Sequence, residues 1–177
     1  TGKTALSVRL LELYGERGKK MYVLGMGRLP SHIIGIEDLE ELPNGAAVVL
    51  DDTNILFGTT SYYTDAGRLL QKLITLARHK DLIIISNSHQ SSAVNKYLLQ
   101  ADALFLKPQN VLVEEYERRV LWKLMEESAA AFRGMSLEEI RGCVYTVSIS
   151  AYLPPFRGMM EYFPPSWFDA RMSKNKA

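Results

Sequence analysis

The segment from Ala46 to Leu50 constrains the fold of this chain most strongly. Its five residues, AAVVL, are all apolar and follow the turn-forming Pro43-Asn44-Gly45. An unbroken apolar run of this length is typical of a central strand that is covered on both faces. Similar runs, KMYVL at 20–24 and LIIIS at 82–86, alternate with segments of helical period. The pattern therefore predicts an α/β protein with a mainly parallel sheet flanked by helices.

The spacing of apolar residues also predicts the remaining elements and the domain organisation. A helix from Thr4 to about Tyr14 places Leu6, Leu10, Leu11 and Leu13 at helical spacing. The capping-box pattern from Ser136 to Glu139 predicts the start of a short helix. Further helices are predicted at 63–79, 93–100 and 111–132, and further strands at 103–106 and 144–149. We expect one domain over residues 1–150, followed by an extension rich in proline and aromatic residues over 151–177.

Composition narrows the class of protein. No stretch approaches the ~18 apolar residues that a membrane helix requires, so we expect a cytoplasmic protein without membrane insertion. The single cysteine, Cys143, excludes an internal disulfide and is expected to be a buried, inert thiol. The net charge of +1 lacks the basic excess of a domain that binds DNA alone. Binding to DNA would therefore need a few residues from each of several subunits.

The chain opens with Gly2-Lys3-Thr4 directly before the first predicted helix. These residues match the last three positions of the phosphate-binding pattern G-x-x-x-x-G-K-[ST]. Gly2 would let the backbone approach the phosphates, Lys3 would reach the β- and γ-phosphates, and Thr4 would offer its hydroxyl to Mg²⁺. Three residues are a weak signal by themselves. We expect the natural protein to continue upstream of Thr1 with a strand and the first half of this loop.

Two acidic residues, Asp51 and Asp52, end the apolar run. An apolar strand that ends in acids has the form of a Walker B segment, in which Asp51 would hold Mg²⁺ and Asp52 would polarise the attacking water. Many ATPases carry glutamate at the second position, and aspartate has a shorter reach. The alternative interpretation is an acidic turn that caps the next segment.

Two further positions have the residue types of an ATPase site. The strand at 82–86 leads to Asn87 and Gln90, and Gln90 is the first candidate to sense the γ-phosphate, with Asn87 the second. Arg78 ends a predicted helix and could reach the nucleotide of a neighbouring subunit. The alternatives are a polar loop for Asn87 and Gln90, and a cation that stabilises the end of a helix for Arg78.

In combination these segments resemble the FtsK/HerA superfamily of ring-forming, DNA-pumping ATPases. The likeness rests on Gly2-Lys3-Thr4, on the strand ending in Asp51-Asp52, on the helix end at 76–79 and on the strand leading to Gln90; it continues through QADALF at 100–105. It covers residues 1 to about 110 and is looser beyond. The resemblance implies a RecA-like P-loop NTPase fold, with the first strand upstream of the printed chain.

The resemblance also implies an activity. Small single-domain members pump viral DNA into capsids, so it implies ATP and Mg²⁺ as cofactors, double-stranded DNA and a homo-oligomeric ring as partners, and a capsid or portal component as a docking partner. Asp52, Gln90 and Arg78 would be catalytic, Gly2, Lys3 and Thr4 would bind the nucleotide, and Thr4 and Asp51 would hold the metal. The alternatives are an ATP-binding assembly protein that does not translocate DNA and a P-loop kinase.

Overall fold

A four-stranded parallel sheet forms the centre of the fold. The computed structural model describes residues 2–51, 75, 77, 79–87, 101–108, 119–150 and 153–163. Helix α1 spans Lys3–Gly15, and the sheet has the order β2-β1-β3-β4. Its strands are β1 (Met21–Leu24), β2 (Ile34–Ile36), β3 (Ala47–Leu50) and β4 (Ile83–Ser86), all paired in parallel. This architecture confirms the predicted α/β class with a parallel sheet flanked by helices.

Strand β3 is covered on both faces, as its unbroken apolar sequence predicts. Ala47 and Val49 pack with Val8 and Leu11 of α1, and Val23 of β1 joins them. Val48 and Leu50 point the opposite way, into a second cluster that includes Tyr22, Leu24, Leu39, Leu42 and Leu82. All four residues of β3 have no measurable exposure to solvent. Successive side chains of a strand alternate between faces, so each face of β3 presents two apolar side chains to a separate layer.

Helix α1 packs against β1, β3 and β4 through a stripe of small and apolar residues. The predicted helix of residues 4–14 agrees with the observed bounds to within a residue at each end. Its buried side chains are not all those expected from the leucine spacing, because Leu13 is exposed and Val8 is fully buried. The sheet lies under the face of α1 that carries Thr4, Val8 and Leu11. These three residues share one face because they follow one another at intervals of about one helical turn.

A three-stranded antiparallel sheet lies C-terminal to the parallel one in sequence. Its strands are β5 (Ala103–Leu106), β6 (Cys143–Ser148) and β7 (Arg157–Glu161), in the order β5-β6-β7. The strand predicted at 144–149 is present, but it pairs in this second sheet. The apolar pattern of a strand does not indicate which of two sheets it joins. Strand β7 belongs to the predicted extension, and neither it nor β2 was predicted from the sequence. The boundary at residue 150 stays a prediction.

Two helices accompany the antiparallel sheet, α2 (Arg119–Phe132) and α3 (Leu137–Gly142). The predicted capping box is confirmed: Ser136 Oγ accepts from the backbone N–H of Glu139, and Glu139 Oε2 accepts from that of Ser136. These hydrogen bonds lower the pKa of the Glu139 carboxyl. Cys143 is a buried thiol, as predicted, and packs with Phe132, Tyr145 and Val147.

Several predicted segments fall partly or wholly outside the described residues. Residues 75 and 77 are helical, in agreement with the helix predicted at 63–79, whereas the helix predicted at 93–100 lies outside the described ranges. The first part of the helix predicted at 111–132 lies outside them too. Within the described part of the chain, no helix is long and apolar enough to span a membrane.

Candidate functional site

The first residue after β3 and the first after β4 lie side by side at the carboxyl edge of the parallel sheet. The backbone N–H of Asp51 donates to the carbonyl of Leu24, and that of Asn87 donates to the carbonyl of Leu50. Both bonds continue the pattern of the sheet by one residue. Ligand sites of parallel α/β sheets commonly lie outside the carboxyl ends of the strands, so a site is expected at this edge.

Alternation along the strands directs both side chains towards α1. Asp51 lies two residues beyond Val49, and Asn87 lies two residues beyond Ile85. Val49 and Ile85 both belong to the cluster beneath α1. Asp51 and Asn87 therefore continue the α1-facing rows of their strands, where an apolar row ends in a polar side chain.

The polar side chains meet at the start of α1. Thr4 Oγ1 donates to Asp51 Oδ1 at 3.1 Å. Asn87 Nδ2 donates to the same carboxylate oxygen at 2.6 Å and lies 3.4 Å from Ser7 Oγ. Asp51 is only 2% exposed. The arrangement gathers a buried carboxylate, two hydroxyls and an amide around the first turns of one helix.

The helix begins with a backbone conformation suited to glycine. Gly2 is the N-cap of α1, with φ of 84° and ψ of 5°, and no side chain caps the helix there. This left-handed conformation is strained for residues with a side chain. Lys3 is the first residue of α1 and is partly exposed. The N–H groups of the first turn and the helix dipole favour an anion at this end of the helix.

The donor set suits a magnesium ion that also contacts phosphate. Mg²⁺ prefers oxygen ligands and is commonly held by one or two carboxylates together with substrate phosphates. Asp51 and Thr4 supply a carboxylate and a hydroxyl whose oxygens lie 3.1 Å apart. No group of three or more His, Cys, Asp or Glu side chains suited to a metal occurs among the described residues. Asp51 and Thr4 would therefore share a bound Mg²⁺ with oxygen ligands from a phosphate.

The sequence-predicted residues divide into two sets. The structure brings Gly2, Lys3, Thr4 and Asp51 together at the start of α1. The predicted catalytic residues Asp52, Arg78 and Gln90 lie outside the described residues, and their roles stay predictions. Asn87, the second choice for a γ-phosphate sensor, lies next to Asp51. Ser7 was not predicted, although its position three residues after Thr4 on a helix could have indicated it.

Two further side chains lie against Gly2. A methyl group placed on the Gly2 Cα would lie 3.6 Å from both Lys107 Cε and Tyr162 Oη. Lys107 follows β5 and is buried, and Tyr162 follows β7. Sequence reasoning missed both, because neither belongs to a recognisable motif and their proximity to Gly2 depends on the packing of the antiparallel sheet.

Comparison with solved structures finds viral NTPases of the same fold. The chain is similar to B204, the DNA-packaging ATPase from Sulfolobus turreted icosahedral virus, at 10% identity and a TM-score of 0.59, covering 89% of this chain and 90% of that one. It is also similar to the genome-packaging NTPase B204 from Sulfolobus turreted icosahedral virus 2 in complex with ATP-gammaS. There the identity is 9%, the TM-score 0.57, and the coverage 87% of this chain and 88% of that one. The chains share a fold.

The likeness is confined to structure. No protein-family model matches the chain, and a search of curated proteins finds no match. At identities of 9% and 10%, the two viral proteins establish the fold alone.

Proposed function

We propose that this chain is an ATPase that drives DNA translocation, of the FtsK/HerA type, and that it packages viral or phage DNA. The observation that carries the proposal is the hydrogen bond from Thr4 to Asp51, which joins the last residue of a Gly-Lys-Thr motif to the acid directly after the buried strand β3. P-loop NTPases hold Mg²⁺ through these two residue types. The fold shared with packaging NTPases from two viruses supports the same class of function.

Each residue of the site has a distinct task in the proposed reaction. Gly2 and the first N–H groups of α1 would receive the phosphates, and Lys3 would neutralise charge on the β- and γ-phosphates. Thr4 and Asp51 would hold Mg²⁺, which lowers the charge on the transferring phosphoryl group when bound. Asn87 would fix the Asp51 carboxylate through its hydrogen bond of 2.6 Å. Asp52 would orient the attacking water, Gln90 would sense the γ-phosphate, and Arg78 would act on the nucleotide of an adjacent subunit.

Oligomerisation and DNA binding follow from the same proposal. A chain of net charge +1 offers little electrostatic attraction to DNA by itself. A ring of subunits would place several small basic groups around one duplex. We propose that the partners are double-stranded DNA, further copies of the chain, and a capsid or portal component.

ATP hydrolysis with and without duplex DNA tests the proposal. The protein, including any residues that precede Thr1, should hydrolyse ATP faster when double-stranded DNA is added. Lys3→Ala should lower turnover by about 100-fold or more, because charge stabilisation on the phosphates is lost. Lys19→Ala is the matched control: it removes a lysine whose ammonium pairs with Asp81. Unchanged turnover in Lys3→Ala would refute the proposed nucleotide site.

The translocation step needs a separate measurement. ATP-dependent displacement of a third strand from a DNA triplex should occur in the wild type and fail in Lys3→Ala. Hydrolysis without DNA stimulation or strand displacement would instead support an ATP-binding assembly protein. Transfer of the γ-phosphate to a small acceptor in place of water would support a kinase.

A further inference from the structure

We propose that Tyr162 is an additional phosphate-binding residue, whose hydroxyl donates a hydrogen bond to a phosphate oxygen of nucleotide bound at Gly2. This inference rests on the proposed function and adds a contact from the antiparallel sheet. Tyr162 lies immediately after β7, far in sequence from the Gly-Lys-Thr motif. Nothing in the spacing of that motif identifies it.

The Tyr162 hydroxyl lies close to the start of α1. Tyr162 Oη lies 3.6 Å from the place where a Cβ on Gly2 would be, and Lys107 Cε lies at the same distance. The hydroxyl oxygen is buried and has no hydrogen-bond partner among the described residues. Buried hydroxyls are nearly always hydrogen-bonded in proteins. An O–H donor beside the proposed phosphate loop suits a phosphate oxygen, which is an acceptor only.

Lys107 holds the tyrosine ring in place. Its ammonium donates to the carbonyls of Ile140 at 2.5 Å, Arg141 at 3.2 Å and Cys143 at 2.5 Å, which satisfies acceptors at the C-terminal end of α3. The same ammonium lies 4.9 Å from the centroid of the Tyr162 ring. A cation at this distance from an aromatic ring is attracted to its face.

The backbone fixes the tyrosine as well. The N–H of Tyr162 donates to the carbonyl of Gly142, the last residue of α3, at 2.7 Å. The ring and the backbone of Tyr162 are therefore both held at the C-terminal end of α3, where Lys107 donates to the backbone carbonyls. A hydroxyl held in this way can bind without first losing much conformational freedom, which favours affinity.

Electrostatics support an anionic ligand at this place. The Lys107 ammonium brings positive charge close to the start of α1, where the helix dipole has the same sign. Burial raises the pKa of the Tyr162 hydroxyl to about 12, so at neutral pH the group keeps its proton and can act as a donor. The neutral Tyr162 hydroxyl, with the Lys107 ammonium close to its ring, therefore complements the negative charge of a phosphate group.

Affinity for two probes tests the proposal. Binding of ATPγS and of inorganic tripolyphosphate is measured by calorimetry for the wild type, Tyr162→Phe, Tyr145→Phe and Lys3→Ala. Tyr162→Phe keeps the ring over Lys107 and removes only the hydroxyl. It should weaken both probes by about tenfold or more, the usual effect of losing a hydrogen bond to a charged group. Tyr145→Phe, whose hydroxyl bonds to Glu127, should bind as the wild type does.

The outcomes separate this inference from the proposed function. Failure of the wild type to bind either probe would overturn both. Normal binding by Tyr162→Phe, together with loss of binding by Lys3→Ala, would overturn only the role of Tyr162. A loss for ATPγS without a loss for tripolyphosphate would place the contact on the nucleoside and would also overturn it.

A spectroscopic measurement covers the case in which Tyr162→Phe fails to fold. Fluorotyrosine incorporated at position 162 of the otherwise unchanged protein reports on the ring by ¹⁹F NMR. Tripolyphosphate should shift this resonance with the same saturation curve as calorimetry, while fluorotyrosine at position 145 should not respond. An unresponsive resonance at position 162 would contradict the proposed contact.

Discussion

Thr4 and Asp51 are joined by a hydrogen bond of 3.1 Å although they are 47 positions apart in sequence. Thr4 is the second residue of α1, and Asp51 is the first residue after the buried strand β3. The bond brings the hydroxyl of the Gly-Lys-Thr motif to the carboxylate that the sequence suggests as a metal ligand. It is the contact on which the proposed nucleotide site depends.

Replacing Thr4 with valine tests the role of the hydroxyl while the shape of the side chain stays nearly the same. Thr4→Val keeps the β-branched volume but removes the oxygen, so we expect Mg²⁺-dependent ATP turnover to fall by about 10- to 100-fold. Thr4→Ser restores the hydroxyl and should recover most of the activity. Steady-state turnover at several Mg²⁺ concentrations is the measurement. Full activity in Thr4→Val would exclude Thr4 as a metal ligand.

Removal of the Asn87 side chain should destabilise the edge of the sheet. Its amide donates to the buried Asp51 carboxylate at 2.6 Å, so Asn87→Ala deletes a hydrogen bond to a charged group. We expect a loss of about 1–3 kcal/mol in the free energy of unfolding, measured by urea denaturation. Asn44→Ala, at the turn before β3, serves as the comparison. Equal stability of Asn87→Ala and the wild type would contradict the geometry at this edge.

Packing of α1 on the sheet predicts a contrast between two leucines of the same helix. Leu11 is fully buried between α1 and the sheet, whereas Leu13 is 37% exposed. Leu11→Ala should therefore cost about 2–5 kcal/mol of unfolding free energy through lost burial and a residual cavity. Leu13→Ala should cost much less. Chemical denaturation of both variants checks the orientation of the helix, and a reversed order of losses would refute it.

Lys107 predicts a dependence of stability on pH. Burial lowers the pKa of its ammonium to about 8, below the usual value of 10.5. Between those two values the unfolded chain binds a proton that the folded chain has released, so folding is favoured as pH rises. Relative to Lys107→Met, the wild type should therefore gain up to about 3 kcal/mol of unfolding free energy from pH 8 to 10.5.

Urea denaturation of both proteins at a series of pH values measures this difference. The matched variant Lys123→Met lies on α2, and its stability should follow that of the wild type across the range. A constant difference between the wild type and Lys107→Met would show that folding does not shift the pKa of Lys107. The three carbonyl acceptors would then balance the effect of burial.

The sequence alone was sufficient for the parts of this protein that depend on local pattern. The apolar runs predicted β1, β3 and β4, since a strand buried on both faces needs apolar residues at every position. Helix α1 was predicted because its leucines recur at helical spacing, and the capping box at Ser136 was predicted because backbone N–H groups at a helix start require partners. The α/β class follows from the alternation of these elements.

Only the tertiary structure decided which distant residues meet. The strand at 143–148 reads like those of the parallel sheet, yet it pairs with β5 and β7, because strand pairing depends on topology and not on apolar content. The same holds at the site. Gly2, Thr4 and Asp51 were predictable from motifs, whereas the positions of Asn87 beside Asp51 and of Lys107 and Tyr162 beside Gly2 arise from packing between elements far apart in sequence.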